Sequence, residues 1–396
     1  MRAWSDRPFG PVTPLAEVRA SGARIAGENG QSTEVYESAA HPGWLVKRFK
    51  PGFPDEGPDV LDRLIGLPAA MTPAELAVVD AATCWPVSRV VSDGTTVGVV
   101  LAKAPPEFFT EVRTPFGPPE CVPLSLDQLV QDDPDFYAAR DLPVPDLRER
   151  CRVARSLLRV GALLERRDVV YGDWSYANLF WERGEGRVFL IDMDSCGLSS
   201  RPWVECNSWN DPAVPQGQRL TVRTDRYKVA VAVLRALTGV RGEDPHPALD
   251  ALEPRLRTAP FGEALRCSLD DPPDLRPSSG ELLELLESEL DPRTPKRPTT
   301  PLAAPPPPQP APAPPPTPSP APARPARPTA SAPAVSRPVR EREVPAPPLG
   351  ENDPFAVDFH GGGGRGAERF VVPLIIACLG ALALLLLIGV ASALLP

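Results

Sequence analysis

Proline placement limits what this chain can fold into more than any other feature. Residues 292–350 hold 23 prolines in 59 positions. A stretch that rich in proline lacks the backbone donors of a helix or sheet ladder, so a single fold over all 396 residues is excluded. Residues 1–291 carry 29 prolines and are long enough to bury a large core, as one bilobal domain or two small ones. The run PLAAPPPPQPAPAPPPTPSPAPARPARP favours extended polyproline II, at about 3.1 Å per residue. It reads as a semi-rigid, disordered spacer, and its PxxP spacings follow from composition alone.

Charge divides along the same boundary. Residues 1–291 sum to −13, residues 292–350 to +6 and the remainder to −2, within a total of −9. An acidic globular part argues against a nucleic-acid partner, whose footprint would be basic. Collagen is excluded because no Gly-X-Y period exists. Seven dispersed cysteines (Cys84, Cys121, Cys151, Cys196, Cys206, Cys267, Cys378) contain no CxxC pair, which points to reduced thiols rather than a disulfide framework or zinc site. His41, His246 and His360 are isolated, so a histidine metal centre is not expected.

Phe370 to Leu395 is 26 residues without a charge. As a helix it would extend about 39 Å, enough to cross a bilayer core of about 30 Å with some tilt. Arg365 and Arg369 precede it, which places the N-terminal bulk in the cytoplasm by the positive-inside rule. The opening MRAWSDRPFGPV has no apolar run and is not a secretory signal. The expectation is a single-span, C-terminally anchored protein at the cell's inner membrane. Arg324, Arg327, Arg337, Arg340 and Arg342 of the spacer are candidates for contact with anionic lipid.

The first third alternates short β-like runs with glycine and polar residues: GARIA, TEVYES, GWLVKRF, then WPVSRVVS and TTVGVVLA around an Asp93-Gly94 turn. Helical spacing follows in 145–166, where Leu147, Cys151, Ala154, Leu158, Gly161 and Leu164 share a face. Residues 224–237 form a mostly buried helix with a cap-like Thr224-Asp225 start. Thr72 and Glu75 have the spacing of a capping box.

The stretch VVYGDWSYANLFWERGEGRVFLIDMDS carries the chemistry. A short apolar strand ends at Asp173, Asn178 follows five positions later, and a hairpin with its turn at 183–186 leads to Asp192. Phosphoryl transfer from ATP needs such a set. One carboxylate accepts or orients the attacking hydroxyl, while an amide oxygen and a second carboxylate hold Mg²⁺ against the phosphates. The hairpin would bring the two hard oxygen ligands together.

Here the chain resembles the protein kinase family, in particular the eukaryotic-type Ser/Thr kinases of bacteria. Tyr171-Gly172-Asp173-Trp-Ser-Tyr-Ala-Asn178 matches the catalytic loop H-R-D-x-x-x-x-N. The resemblance implies Asp173 as catalytic base, Asn178 and Asp192 as magnesium ligands, and Lys47 as the lysine on the ATP α/β-phosphates. It implies Gly30 and Val35 as parts of the glycine-rich loop over ATP. Asp225 is expected to brace the catalytic loop, and Arg276 to pair with an acid for which Asp211 is the nearest match. The implied fold is α+β and bilobal, with a β-rich N-lobe over about 15–105 and a helical C-lobe over about 106–291. A proline-rich linker (292–369) and a transmembrane helix (370–395) follow.

Several residues depart from the family pattern. Glu28 and Thr33 stand at glycine positions of the loop, Tyr171-Gly172 replaces His-Arg, and Met193-Asp194 replaces Phe-Gly. Without an arginine at 172, control by phosphorylation of the following segment is not expected. The acid pairing with Lys47 is open between Asp62 and Glu75. Three functions stay in view: a membrane-tethered Ser/Thr protein kinase, a pseudokinase that binds nucleotide as a scaffold, and a small-molecule phosphotransferase, which the I-D-x-D form favours.

Overall fold

The computed structural model describes residues 3–290, apart from 19–21, 28–30, 53–56 and 115–116. Gly30, the expected linker and the expected membrane helix lie outside the described residues. Within them, no helix is long and apolar enough to cross a membrane.

The chain is mixed α+β, with an N-terminal sheet followed by helices. Strands β1 (Val12–Pro14), β2 (Arg24–Ala26), β3 (Ser32–Glu37) and β4 (Trp44–Phe49) come first. Helices α1 (Pro58–Gly66) and α2 (Pro73–Ala82) follow, then β5 (Pro86–Ser92) and β6 (Thr95–Ala102). The six strands form one sheet in the order β1-β5-β6-β4-β3-β2. It starts at Val12, ahead of the expected boundary near 15, because β1 adds in parallel along the edge of β5. Asp93 and Gly94 both take positive φ, 50° and 75°, in the two-residue turn that suits the twist of β5 and β6.

Alternation along β4 assigns its two faces. Trp44 and Val46 pack with Tyr36, Val87, Val90 and Val100 on one side. Leu45 and Phe49 face Leu61 and Ile65 of α1, with Val99, Leu101, Phe108 and Phe189, on the other. Lys47 has the parity of Leu45 and Phe49, so a cation is directed into an apolar layer.

After the hairpin of β7 (Phe109–Val112) and β8 (Glu120–Pro123) come α3 (Leu126–Leu129), α4 (Pro134–Ala139) and the long α5 (Leu147–Arg166). Then follow β9 (Val169–Val170), β10 (Leu179–Trp181), β11 (Val188–Leu190), β12 (Gly197–Leu198), α6 (Val222–Thr238), α7 (His246–Asp250), α8 (Pro254–Arg257), α9 (Pro260–Asp270) and α10 (Ser279–Leu290). Asp146 caps α5, accepting from Glu149 N–H at 2.7 Å. Helix α6 is buried on nearly every side, and Val229 to Leu234 are at most 2% exposed. Such a helix belongs at a core centre, and α6 packs against both α5 and α9. Its cap is Thr221 rather than Thr224, which serves as the third helical residue of a reciprocal capping box. The predicted box at Thr72 and Glu75 is formed at the start of α2.

Candidate active site

Strand β4 delivers Lys47 to the site. Its cross-strand partners are Val35 on β3 and Val99 on β6. Val35 is half-buried and lies on the same face as the lysine. Lys47 is 5% exposed, so its ammonium must find acids or lose its charge. Two are present: Nζ lies 3.1 Å from Asp192 Oδ1 and 3.1 Å from Asp194 Oδ2. Burial works to lower the Lys47 pKa, but the two carboxylates outweigh it and raise it, so the cation is retained.

Neither acid expected from the sequence pairs with this lysine. Asp62 on α1 is held in a two-point contact by Arg89 of β5, at 2.7 and 3.0 Å. Glu75 is bound to Arg167 and to its own helix cap. Arg167 hydrogen bonds hold the Glu75 carboxyl down to about 2.

The loop carrying Asp173 leaves β9 and is fixed mainly through its backbone. Asp225, buried on α6, accepts the N–H groups of Tyr171 at 2.9 Å and Gly172 at 3.0 Å. One turn further along α6, Lys228 Nζ donates to Gly172 O at 2.6 Å. Arg201 donates to Tyr171 O. Gly172 has φ +69°, and a Cβ there would stand 2.7 Å from Arg201 Cδ. Arg201 thus fills the space beside residue 172 from a different part of the chain. Lys228 and Arg201 were missed in the sequence. A lysine inside the apolar run of α6 was a usable sign, because a buried cation needs partners. Nothing local marked Arg201.

Asp173 is half-buried, and its Oδ1 accepts from the Cys206 thiol at 3.1 Å. Burial, with the Asp173 charge adding to it and Lys228 opposing, pushes that thiol up to about 12, so it is a protonated donor. Asn178 Nδ2 donates to Asp173 O at 3.0 Å, which ties the two ends of the loop and leaves the amide oxygen for a cation.

Register carries Asn178 and Asp192 to the same end of one hairpin. Leu179 pairs with Leu190, and Ile191 N donates to Asn178 O at 3.0 Å. Asp192 then turns into the left-handed region, φ 56° and ψ 32°. That conformation costs a non-glycine residue about 1–2 kcal/mol and concentrates at functional sites. Ser195 N–H and Oγ both donate to Asp192 O and hold the turn. The Asp192 side chain stays 43% exposed, whereas that of Asp194 is 1% exposed. An exposed carboxylate and a free amide oxygen are hard ligands of the kind Mg²⁺ takes while keeping waters and phosphate oxygens. Among the described residues, no group of three or more His, Cys, Asp or Glu side chains forms a ready-made cage.

Arg276 and Asp211 meet as a fully buried pair, with Nη2 to Oδ1 at 2.8 Å. Arg276 also donates to Asp271 O at 2.9 Å. Of the residues expected to act, Lys47 and Asp192 are in direct contact, Asp173 and Asn178 are joined through the loop, and Val35 lies across from Lys47. Asp225 holds the backbone ahead of Asp173, Arg276 bonds to Asp211 and Asp271 O rather than to any of the site side chains, and Gly30 is outside the described residues. Asp194, not singled out as a site residue, belongs to the centre, and the I-D-x-D spelling was its signal. No protein-family model matches this chain, and no curated protein matches it.

Proposed function

We propose that this protein is an ATP- and Mg²⁺-dependent phosphotransferase with a bilobal kinase-like fold, acting on serine and threonine hydroxyls of proteins. The observation that carries the reading is the meeting of Lys47 with Asp192, from elements 145 residues apart, beside a loop that presents Asp173. Lys47 neutralises phosphate charge. Asp173 accepts the proton of the attacking hydroxyl. Asn178 and Asp192 would hold Mg²⁺, which neutralises the triphosphate when bound. In this reading the chain is anchored by 370–395, and the proline-rich linker gives the site reach over protein targets at the cytoplasmic membrane face.

A second reading, a small-molecule phosphotransferase of similar fold, is favoured by the Asp192-Met193-Asp194 spelling and the engagement of both acids with Lys47. Both are tested with the full chain in detergent, supplied with ATP, Mg²⁺ and either a protein panel or small alcohols and aminoglycosides. Protein phosphorylation that falls by about 10²–10⁴ in Asp173→Asn supports the first reading. Faster transfer to a small alcohol supports the second. Nucleotide binding without transfer to any acceptor would leave a scaffold.

A further inference from the structure

We propose that Asp194 is the standing anchor of Lys47 and that Asp192 is its exchangeable partner, released to the metal–nucleotide when that complex binds. The inference rests on the phosphotransferase reading and concerns how its site is held.

Exposure separates the two acids. Both reach Lys47 Nζ at 3.1 Å, yet the Asp192 side chain is 43% exposed and that of Asp194 only 1%. Both Asp194 oxygens lie within reach of the ammonium, Oδ1 at 3.2 Å and Oδ2 at 3.1 Å. A carboxylate with no water to replace its partner loses most by separation, because a buried unpaired charge is far costlier than an exposed one. Asp192 can exchange the ammonium for solvent or a cation at little cost. With a metal–triphosphate bound, Asp192 would turn to the metal, and Lys47 would keep Asp194 and offer its remaining donors to the phosphates.

No other described acid serves. Asp62 on α1 is held by Arg89 and Glu75 on α2 by Arg167. The lysine anchor is therefore two residues from the metal ligand, on one turn closed by Ser195. Displacement of α1 or α2 would not uncouple Lys47, so the positioning of the lysine is set by the loop and not by a helix.

Two measurements on the full chain in detergent test this. The first is affinity for ATP with Mg²⁺ and with EDTA, by a fluorescent ATP analogue, in wild type, Asp192→Asn, Asp194→Asn and Asp62→Asn. Asp194→Asn should weaken binding at least about tenfold with and without Mg²⁺, the loss of one charge-assisted contact. Asp192→Asn should mainly raise the Mg²⁺ needed, and Asp62→Asn should change neither. The second is acetylation of the Lys47 amine, read by mass spectrometry without nucleotide. Lys47 should stay protected in Asp192→Asn and become reactive in Asp194→Asn. If Asp194→Asn does not fold, the Asp192→Asn protein alone decides: an exposed Lys47 overturns the inference. Binding unaffected by Asp194→Asn, or lost in Asp62→Asn, also overturns it while leaving the phosphotransferase reading intact. Wild type that binds no nucleotide under either condition overturns both.

Discussion

Asp225 and Gly172 are 53 residues apart, and the buried carboxylate of one accepts the backbone N–H of the other at 3.0 Å. The same carboxylate takes the Tyr171 N–H at 2.9 Å. Two backbone donors preceding Asp173 therefore depend on a single side chain of α6. Asp225→Ala should leave both N–H groups buried without a partner, at roughly 1–3 kcal/mol each. Urea denaturation should report that loss, and an unchanged midpoint would mean the loop has another support.

Gly172 also carries a steric condition. Its φ of +69° and the 2.7 Å approach of a would-be Cβ to Arg201 Cδ predict that Gly172→Ala costs more than the about 1–2 kcal/mol of left-handed strain alone. The steric part should shrink when Arg201→Ala is added, so the double mutant should be more stable than the sum of the singles predicts. Strict additivity in a denaturant-based cycle would contradict the contact.

Burial should rank the ion pairs. Arg276 and Asp211 are at most 1% exposed in their side chains, and Arg276→Met would strand a buried carboxylate, a loss of about 3–5 kcal/mol. Arg223 and Asp274 are 55% and 72% exposed, and Arg223→Met should cost less than about 1 kcal/mol. Equal effects on the unfolding midpoint would break this ordering.

Much of this architecture was legible in local sequence. Alternation identified the runs that became β3, β4, β5 and β6, and Asp93-Gly94 marked the turn between the last two. The five-residue gap from Asp173 to Asn178 and the hairpin to Asp192 were readable because those contacts are short-range. The partner of Lys47 was not: Asp62 and Glu75 on nearby helices were both candidates, Glu75 already accounted for by its capping box, and in the fold Arg89 and Arg167 claim them. Arg201 was invisible for the same reason: its place beside Gly172 is set by how the segment after β12 returns to pair with Leu220. The cap of α6 was misplaced by three residues because Thr221 and Thr224 are both capping residues, and only the backbone decides between them.

His246 links the start of α7 to α9, with Nδ1 2.6 Å from Asp244 Oδ1 and Nε2 2.8 Å from Asp270 Oδ1. The Asp270 bond first, then the Asp244 bond, raise the histidine pKa. Its contribution to stability is therefore complete below the unfolded value of about 6.5 and disappears as pH rises through the higher folded value. His246→Gln should lower the thermal midpoint near pH 5.5 and leave it unchanged near pH 9. A larger effect at the alkaline end would reverse the assignment.

The central claim is that Lys47, Asp173, Asn178 and Asp192 together form a phosphotransfer site. It is tested most directly by ATP turnover in the purified full chain with Mg²⁺, wild type against Asp192→Asn. The expected result is turnover by wild type that falls by about a hundredfold or more in the variant, the scale of losing one electrostatic group at a transferring phosphate. Equal turnover by the two proteins, or none by wild type with any protein or small-alcohol acceptor, would contradict it.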